Sequence, residues 1–357
     1  MVIYMKKIMF VANSLVGGGA EKVVSILSSK LLERGFEIYV LVHNKTKNSY
    51  AMNDNVKVIY SESKGIGAMK KVSRVLSIRK ALKKYSIDCL IAFSHYNVMY
   101  SVLASIGLNT KIIGSERNDP AQIKNRYFLN NLREILYCHL NTLVCQTNDA
   151  KNYFPEAIQK KSVIILNPLS EKLIASYHGE RDKRIVTYCR LESQKNLPML
   201  IKAFSFLHVD YPDYILEIYG EGDEKTVLLQ MIKNLELEDY VFINPFALDI
   251  HEKVKKAAMF VLSSDYEGLS NSMLESMAIG LPVVVTDCPC GGARMVIEDG
   301  KNGILSPVGD ADKFYHNMKR ILDDRVLSES LSKNAVEIRQ ELSSDKIANQ
   351  WLKVICG

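Results

Sequence analysis

Residues 7–34 read KIMFVANSLVGGGAEKVVSILSSKLLER: a short apolar strand, three glycines and a helix in direct succession. Past Lys7, the run to Ala12 is apolar on both faces, the pattern of a strand covered on two sides. Val23, Val24, Leu27 and Leu31 then recur at helical spacing over Ala20 to Arg34. Between them, Gly17, Gly18 and Gly19 allow close backbone approach, and the following helix offers unpaired N–H groups and a partial positive charge to an anion. A structural tight turn fits the same residues, since Gly17-Gly18-Gly19-Ala20 lacks the later glycine of a dinucleotide fingerprint. The apolar run after Lys6 and Lys7 leads into these glycines rather than a small-residue cleavage site, which predicts a buried first strand and no signal peptide.

Downstream the rhythm repeats. Strands are predicted at Glu37 to Val42, Val56 to Tyr60, Cys89 to Phe93, Lys111 to Ser115, Thr142 to Gln146 and Ser162 to Leu166, with helices at Ala68 to Lys84 and Lys124 to Leu136. After Asn167-Pro168 and the polar stretch Tyr177 to Arg184, strands resume at Ile185 to Cys189, Ile215 to Tyr219, Val241 to Ile243, Met259 to Ser263 and Pro282 to Thr286. Apolar strands alternating with helices predict an α/β fold with parallel sheets. A chain of 357 residues suits two such doubly wound domains, with ligands at the carboxyl ends of their strands in a shared cleft. The segment Leu331 to Cys356, with Trp351 near its end, reads as mainly helical.

Composition excludes several classes. At 47% hydrophobic and 24% charged, the chain is neither disordered nor fibrous, and no apolar run approaches the ~20 residues of a membrane span. The seven cysteines are odd in number and scattered, mostly in apolar segments, which predicts reduced core thiols in a cytoplasmic protein. Through residue 178 there are 25 Lys and Arg against 12 Asp and Glu, a net +13; the remainder has 21 against 28, a net −7. The densest basic run, Lys64 to Lys84, is threaded by Met69, Val72, Val75, Ile78 and Leu82 at steps of three or four. It reads either as a solvated helix packed on its own sheet or as a patch for an anionic membrane surface. No nucleic-acid motif accompanies it, so nucleic acid is not expected as a partner.

Chemistry-bearing residues cluster in the second half. Arg190 and Lys195 follow a strand, and two cations from one loop can grip a diphosphate. Gly220-Glu221-Gly222-Asp223 is a flexible turn beyond another strand. In Glu267-Gly268-Leu269-Ser270-Asn271-Ser272-Met273-Leu274-Glu275, one carboxylate leaves a strand and the other lies two helical turns on, where sugar hydroxyls could satisfy it. The alternative is that Glu267 caps backbone N–H groups and Glu275 is solvated. Cys288 and Cys290 lack a second soft-ligand pair nearby, and Asp310 with Asp312 reads as a helix start, so no metal site is expected.

Taken together, Arg190 to Asn196, the turn at Gly220 to Asp223, the Glu-x7-Glu motif at Glu267 to Glu275, Pro282 to Asp287 and Asn302 to Leu305 resemble retaining glycosyltransferase family four, of bacterial surface-polysaccharide type. Gly17 to Ala20 and Gly114 to Asn118 extend the resemblance through the first half. It implies the GT-B architecture, two Rossmann-like domains facing across a cleft: residues 1–175 binding acceptor, 176–335 binding nucleotide sugar, and a terminal helix at 336–357 packing back toward the first domain. It further implies that Arg190 and Lys195 hold the donor diphosphate and that Glu275 meets the ribose. Glu267 would face the transferred sugar, Leu269 and Ser270 the phosphate, the Ile243 to Phe246 stretch the base, and Gly18, Gly19 and the Gly220 turn the donor. Relatives often carry a sugar-contacting His where this chain has Ser115-Glu116-Arg117-Asn118, and a Glu where it has Arg294. His95, Glu116, Arg117 and Arg294 are accordingly assigned to the acceptor or sugar side.

The implied reaction is sugar transfer with retention from a nucleoside diphosphate sugar, UDP favoured, to a hydroxyl of a glycan or polyprenyl-linked glycan. No cofactor or metal is expected, and the location would be cytoplasmic, peripheral on the inner face of the bacterial membrane. A nucleotide-sugar epimerase and a non-catalytic nucleotide-sugar binder are the alternatives.

Overall fold

A computed structural model describes residues 6–15, 18–44, 52–61, 65–123 and 127–357. Gly17 and Lys64 lie outside the described residues. The chain divides into two compact units, Met1–Ser170 with Leu342–Gly357, and Glu171–Glu341. These divisions stand a few residues from those read in the sequence.

In the first unit, strands β1 (Lys7–Ala12), β2 (Glu37–Val42), β3 (Lys57–Tyr60), β4 (Cys89–Phe93), β5 (Lys111–Ser115), β6 (Thr142–Cys145) and β7 (Ser162–Ile164) form one sheet in the order β3-β2-β1-β4-β5-β6-β7. All pairings are parallel. Helices α1 (Gly19–Glu33), α2 (Gly67–Tyr85), α3 (His95–Ser105), α4 (Tyr127–Tyr137), α5 (Asn148–Asn152) and α6 (Glu156–Gln159) complete the alternation. Ile8 to Val11 and Leu90 to Ala92 are fully buried, so the central strands are sealed on both faces, as their continuous apolar runs require.

One reading of α2 is corrected. Ile78, Ala81 and Leu82 are buried, but Met69 and Val72, expected on the same packed face, are 70% and 57% exposed. The later half of α2 is held to the end of α3, where Arg79 Nη1 donates to the carbonyls of Ala104 and Ile106 at 2.9 and 2.7 Å. The earlier half leaves its apolar side chains in solvent.

The second unit repeats the plan: β8 (Asp182–Tyr188), β9 (Ile215–Tyr219), β10 (Val241–Asn244), β11 (Ala257–Leu262), β12 (Val283–Thr286) and β13 (Ile304–Ser306) lie parallel in the order β10-β9-β8-β11-β12-β13. Helices α7 (Leu197–Asp210), α8 (Lys225–Asn234), α9 (Ile250–Val254), α10 (Asn271–Ala278), α11 (Ala311–Asp323), α12 (Arg325–Ala335) and α13 (Ile338–Glu341) accompany them. Strand order reverses between β8 and β11, and at such a switch point the two adjacent loops diverge and leave a crevice.

The mainly helical tail is broken into pieces. After α13, α14 (Ser344–Cys356) belongs to the first unit, where Trp351 is fully buried and stacks on Phe93 at 6.0 Å. All seven cysteines are free; Cys138 and Cys356 are exposed, which corrects their assignment to the core. Among the described residues, no helix is long and apolar enough to cross a membrane.

Candidate functional site

At the switch point of the second sheet, the loop after β8 is built around one apolar anchor. Leu191 is fully buried between Arg190 and the short turn carrying Lys195. The glycine turn after β9 lies directly beneath: a Cβ at Gly220 would sit 1.9 Å from the Cys189 carbonyl oxygen, and one at Gly222 2.2 Å from that of Leu191. Only glycine allows that approach. The Leu191 N–H donates to Glu221 O at 2.9 Å, and the Glu224 N–H to Leu191 O at 3.1 Å.

Four hydrogen bonds then stitch this loop to the one after β11. Ser263 Oγ donates to the Lys195 carbonyl at 2.8 Å, Gln194 Nε2 to the Tyr266 carbonyl at 2.8 Å, and the Asp265 N–H to the Gln194 carbonyl at 2.9 Å. Asn196, left-handed at φ 42° and capping α7 through Met199 N–H, donates Nδ2 to Asp265 Oδ1 at 2.7 Å. The stitching brings Lys195 Nζ onto Glu267 Oε1, an oxygen that also accepts from Ser264 Oγ at 3.0 Å.

Lys195 is 7% exposed. Burial by itself disfavours the ammonium, but the Glu267 carboxylate outweighs it and holds the Lys195 pKa above its ordinary value. The cation therefore stays charged despite its burial. Arg190 is different: it is exposed and pairs with its neighbour Glu192 at 2.7 Å, so the two cations of this loop sit in unlike surroundings.

Glu267 turns into α10 through Gly268, over which Gly292 is packed so closely that a Cβ would lie 1.6 Å from the Gly268 oxygen. Leu269 is buried, and Ser270 caps α10 by accepting from the Met273 N–H at 3.4 Å. A small pocket opens here, lined among others by Ser264, Glu267, Ser270, Met273, Thr286 and Cys288. Burial raises the Cys288 thiol to about 12, so it stays protonated.

Glu275 is 7% exposed, which overturns the solvated alternative. Its Oε2 accepts from His251 Nε2 at 2.8 Å. Phe246 lies in the segment between β10 and α9 and is 54% exposed. Arg294 is half exposed and donates Nε to Asp287 Oδ1 at 2.7 Å. Asp310 caps α11 by accepting from the Lys313 N–H at 2.9 Å. Among the described residues, no group of three or more His, Cys, Asp or Glu is gathered to hold a metal ion.

In the first unit, Gly18 precedes α1 and its carbonyl accepts the Lys22 N–H at 3.2 Å, while Gly19 opens the helix. His95 opens α3 directly after β4. Glu116 is 3% exposed, accepts from the Tyr137 hydroxyl, and is raised in pKa by burial against the opposing pull of Arg133. Arg117 lies over the rings of Phe93 (4.5 Å) and Trp351 (5.7 Å) and donates Nη1 to Asn167 Oδ1 at 2.8 Å. Burial lowers its pKa to about 9. Ser264 and His251 were not singled out in the sequence; Ser264 reaches Glu267 across one local turn, whereas the fold brings His251 to Glu275.

The family described as glycosyl transferases group 1 matches residues 170–338, the span of the second unit that carries these loops. The chain is a glycosyltransferase, and its second unit is similar to that family. It is 28% identical over 374 residues to the Campylobacter jejuni N-acetylgalactosamine-N,N'-diacetylbacillosaminyl-diphospho-undecaprenol 4-alpha-N-acetylgalactosaminyltransferase, covering 99% of this enzyme and 100% of that one. An uncharacterized glycosyltransferase of Haemophilus influenzae is 25% identical, with 98% and 100% covered. Among solved structures, Anabaena HepE in complex with UDP and glucose superposes with a TM-score of 0.84 at 18% identity, covering 99% of the enzyme and 100% of HepE. Sucrose-phosphate synthase from Thermosynechococcus elongatus gives 0.86 at 17% identity, with 98% of each covered. The enzyme has the GT-B fold.

Proposed function

We propose that the enzyme transfers a sugar, with retention of anomeric configuration, from a UDP-sugar to a hydroxyl of a lipid-linked glycan in surface-polysaccharide synthesis. The observation that carries this reading is the buried Lys195–Glu267 pair beside the capped start of α10 at the sheet's switch point. As the bond to the sugar breaks, negative charge grows on the leaving diphosphate. Lys195, kept charged by Glu267, and Arg190, exposed and able to leave Glu192, would stabilise it together with the Leu269 and Ser270 backbone N–H groups. Glu275 would take the ribose hydroxyls, Phe246 the base and Glu267 the transferred sugar, with Gly18 and Gly19 forming a second anion-binding turn.

Glu267 and Glu275 are engaged by different partners, Lys195 and His251, which suits separate contacts with sugar and ribose. An acid and base of a glycosidase would instead both face the one scissile bond, with one carboxyl kept protonated by its surroundings. The leaving phosphate itself would then accept the proton of the attacking hydroxyl, and no metal would be required.

The Campylobacter relative is named for a diphospho-undecaprenol acceptor, and HepE was solved with UDP and glucose, which favours a UDP-sugar and a polyprenyl-linked acceptor here. The first half of the exposed α2 supports work at an anionic membrane. Ile66, Met69, Val72 and Leu76 are 91%, 70%, 57% and 59% exposed beside Lys70 and Lys71, the combination that seats a helix in a lipid headgroup layer.

The test is mass-detected transfer from UDP-, GDP- and ADP-sugars to lipid-linked acceptor extracts, with the product's anomeric coupling read by NMR. Acceptor-dependent product from a UDP-sugar, of donor configuration and undiminished by EDTA, is expected. Sugar conversion without acceptor would mean an epimerase, and tight donor binding with no product would mean a binding protein.

A further inference from the structure

The carboxylate of Glu275 is not left to find its own orientation. The last torsion of a glutamate is broad, so a buried carboxylate that must meet one particular hydroxyl needs a neighbour to fix its plane. His251 supplies one: an ionised carboxylate can only accept, so the imidazole Nε2–H donates to Oε2 at 2.8 Å, with the two side chains 15% and 9% exposed.

The ring is fixed in turn. Tyr188, at the end of β8, meets His251 edge-on at 5.9 Å and 84°. Its hydroxyl is bound to α10 itself, donating to the Ser272 carbonyl at 2.9 Å and lying 2.9 Å from Ser276 Oγ. Ile250 and Val254 anchor α9 by their burial, and its start directly follows the segment bearing Phe246. Three elements, β8, α9 and α10, thus converge on one carboxylate.

We infer that His251 is a positioning residue for the donor nucleoside, holding the Glu275 carboxylate toward the ribose hydroxyls. The inference rests on the ribose role proposed for Glu275. It implies that His251 governs donor affinity rather than the chemical step, because the interaction is the same before and during bond breaking. A hydrogen bond to a charged group at this depth corresponds to a loss of about tenfold in affinity when it is removed.

The experiment is calorimetric titration of the full chain with UDP and with its 2'-deoxy and 3'-deoxy analogues, using wild type, His251→Ala, His251→Gln and Glu275→Ala. GDP and ADP are run on the wild type to fix the base. Expected are about tenfold weaker UDP binding in His251→Ala, partial recovery in His251→Gln, whose amide can donate from a similar place, and a smaller loss for whichever deoxy analogue lacks the contacted hydroxyl. In steady state, donor KM should rise by a similar factor with kcat little changed. Equal losses for UDP and both analogues would make His251 merely structural and overturn the inference. Wild-type UDP affinity in His251→Ala alongside weakened binding in Glu275→Ala would also overturn it, with the ribose role standing. Unweakened binding in Glu275→Ala would remove the ribose role itself.

Discussion

Lys195 and Glu267, 72 positions apart, are ion-paired with their side chains only 9% and 14% exposed. Removing one partner strands the other in a site with little water. Lys195→Ala should therefore lose both roles: about 3 kcal/mol or more of stability, from an uncompensated carboxylate, and roughly two to three orders of magnitude in kcat/KM. Adding Glu267→Gln should recover much of the thermal stability and none of the activity. A double variant that regains activity would remove Lys195 from the diphosphate.

The pair also fixes a pH direction. The folded Lys195 pKa lies above its ordinary 10.5, so the stabilisation is complete below the unfolded value and lost as pH rises through the raised one. Denaturation midpoints between pH 9 and 11.5 should therefore fall more steeply in wild type than in the variant Lys195→Met, Glu267→Leu; parallel curves would contradict the coupling.

Arg190 makes the complementary case. Exposed and paired with Glu192 only two residues away, it belongs to the class of surface ion pairs worth less than about 1 kcal/mol. Arg190→Ala should leave the melting temperature unchanged while lowering kcat/KM by about a hundredfold, and unchanged turnover would reject its place at the diphosphate.

Much of this arrangement was legible in the sequence because parallel strands buried on both faces read as unbroken apolar runs, and β1, β2, β4, β5 and β9 begin and end where those runs do. The glycines at 220 and 222 were legible as a turn, yet their reason, the carbonyls of Cys189 and Leu191 beneath them, depends on β8 and β9 being neighbours. The Lys195–Glu267 pair was not legible, since β11 pairs with β8 across two intervening strands. Periodicity gave α2 an apolar face but could not say that only Ile78, Ala81 and Leu82 of it would find a core. His251 offered no signal at all, because a lone histidine in a short helix has no spacing to betray its partner.

The glycine packing can be tested directly. Gly220→Ala would push a methyl into the Cys189 carbonyl, and Gly292→Ala into the Gly268 carbonyl, both rigid backbone. Each should cost about 1–3 kcal/mol and displace a loop of the candidate site, so that kcat/KM falls further than stability alone predicts. Gly35→Ala is a useful control: nothing lies within 4 Å of its Cβ, so its cost should come from the positive φ alone and leave kcat/KM intact.

The membrane contact proposed for the exposed half of α2 would have two separable contributions. Lys70 and Lys71 are exposed and would attract anionic headgroups, each worth about 1 kcal/mol near the surface and weakened by salt. Ile66, Met69 and Val72 add apolar burial that salt does not screen. In co-sedimentation with vesicles of phosphatidylglycerol and phosphatidylethanolamine, Lys70→Glu with Lys71→Glu should abolish binding at low salt. Ile66→Ser with Met69→Ser should weaken it at every salt concentration while preserving its salt dependence. Both variants should retain transfer to a water-soluble acceptor, because none of these side chains is among the residues assigned to the donor, sugar or acceptor. Wild-type chain that stays in the supernatant at low ionic strength would assign the apolar stripe some other neighbour and leave the acceptor to arrive from solution.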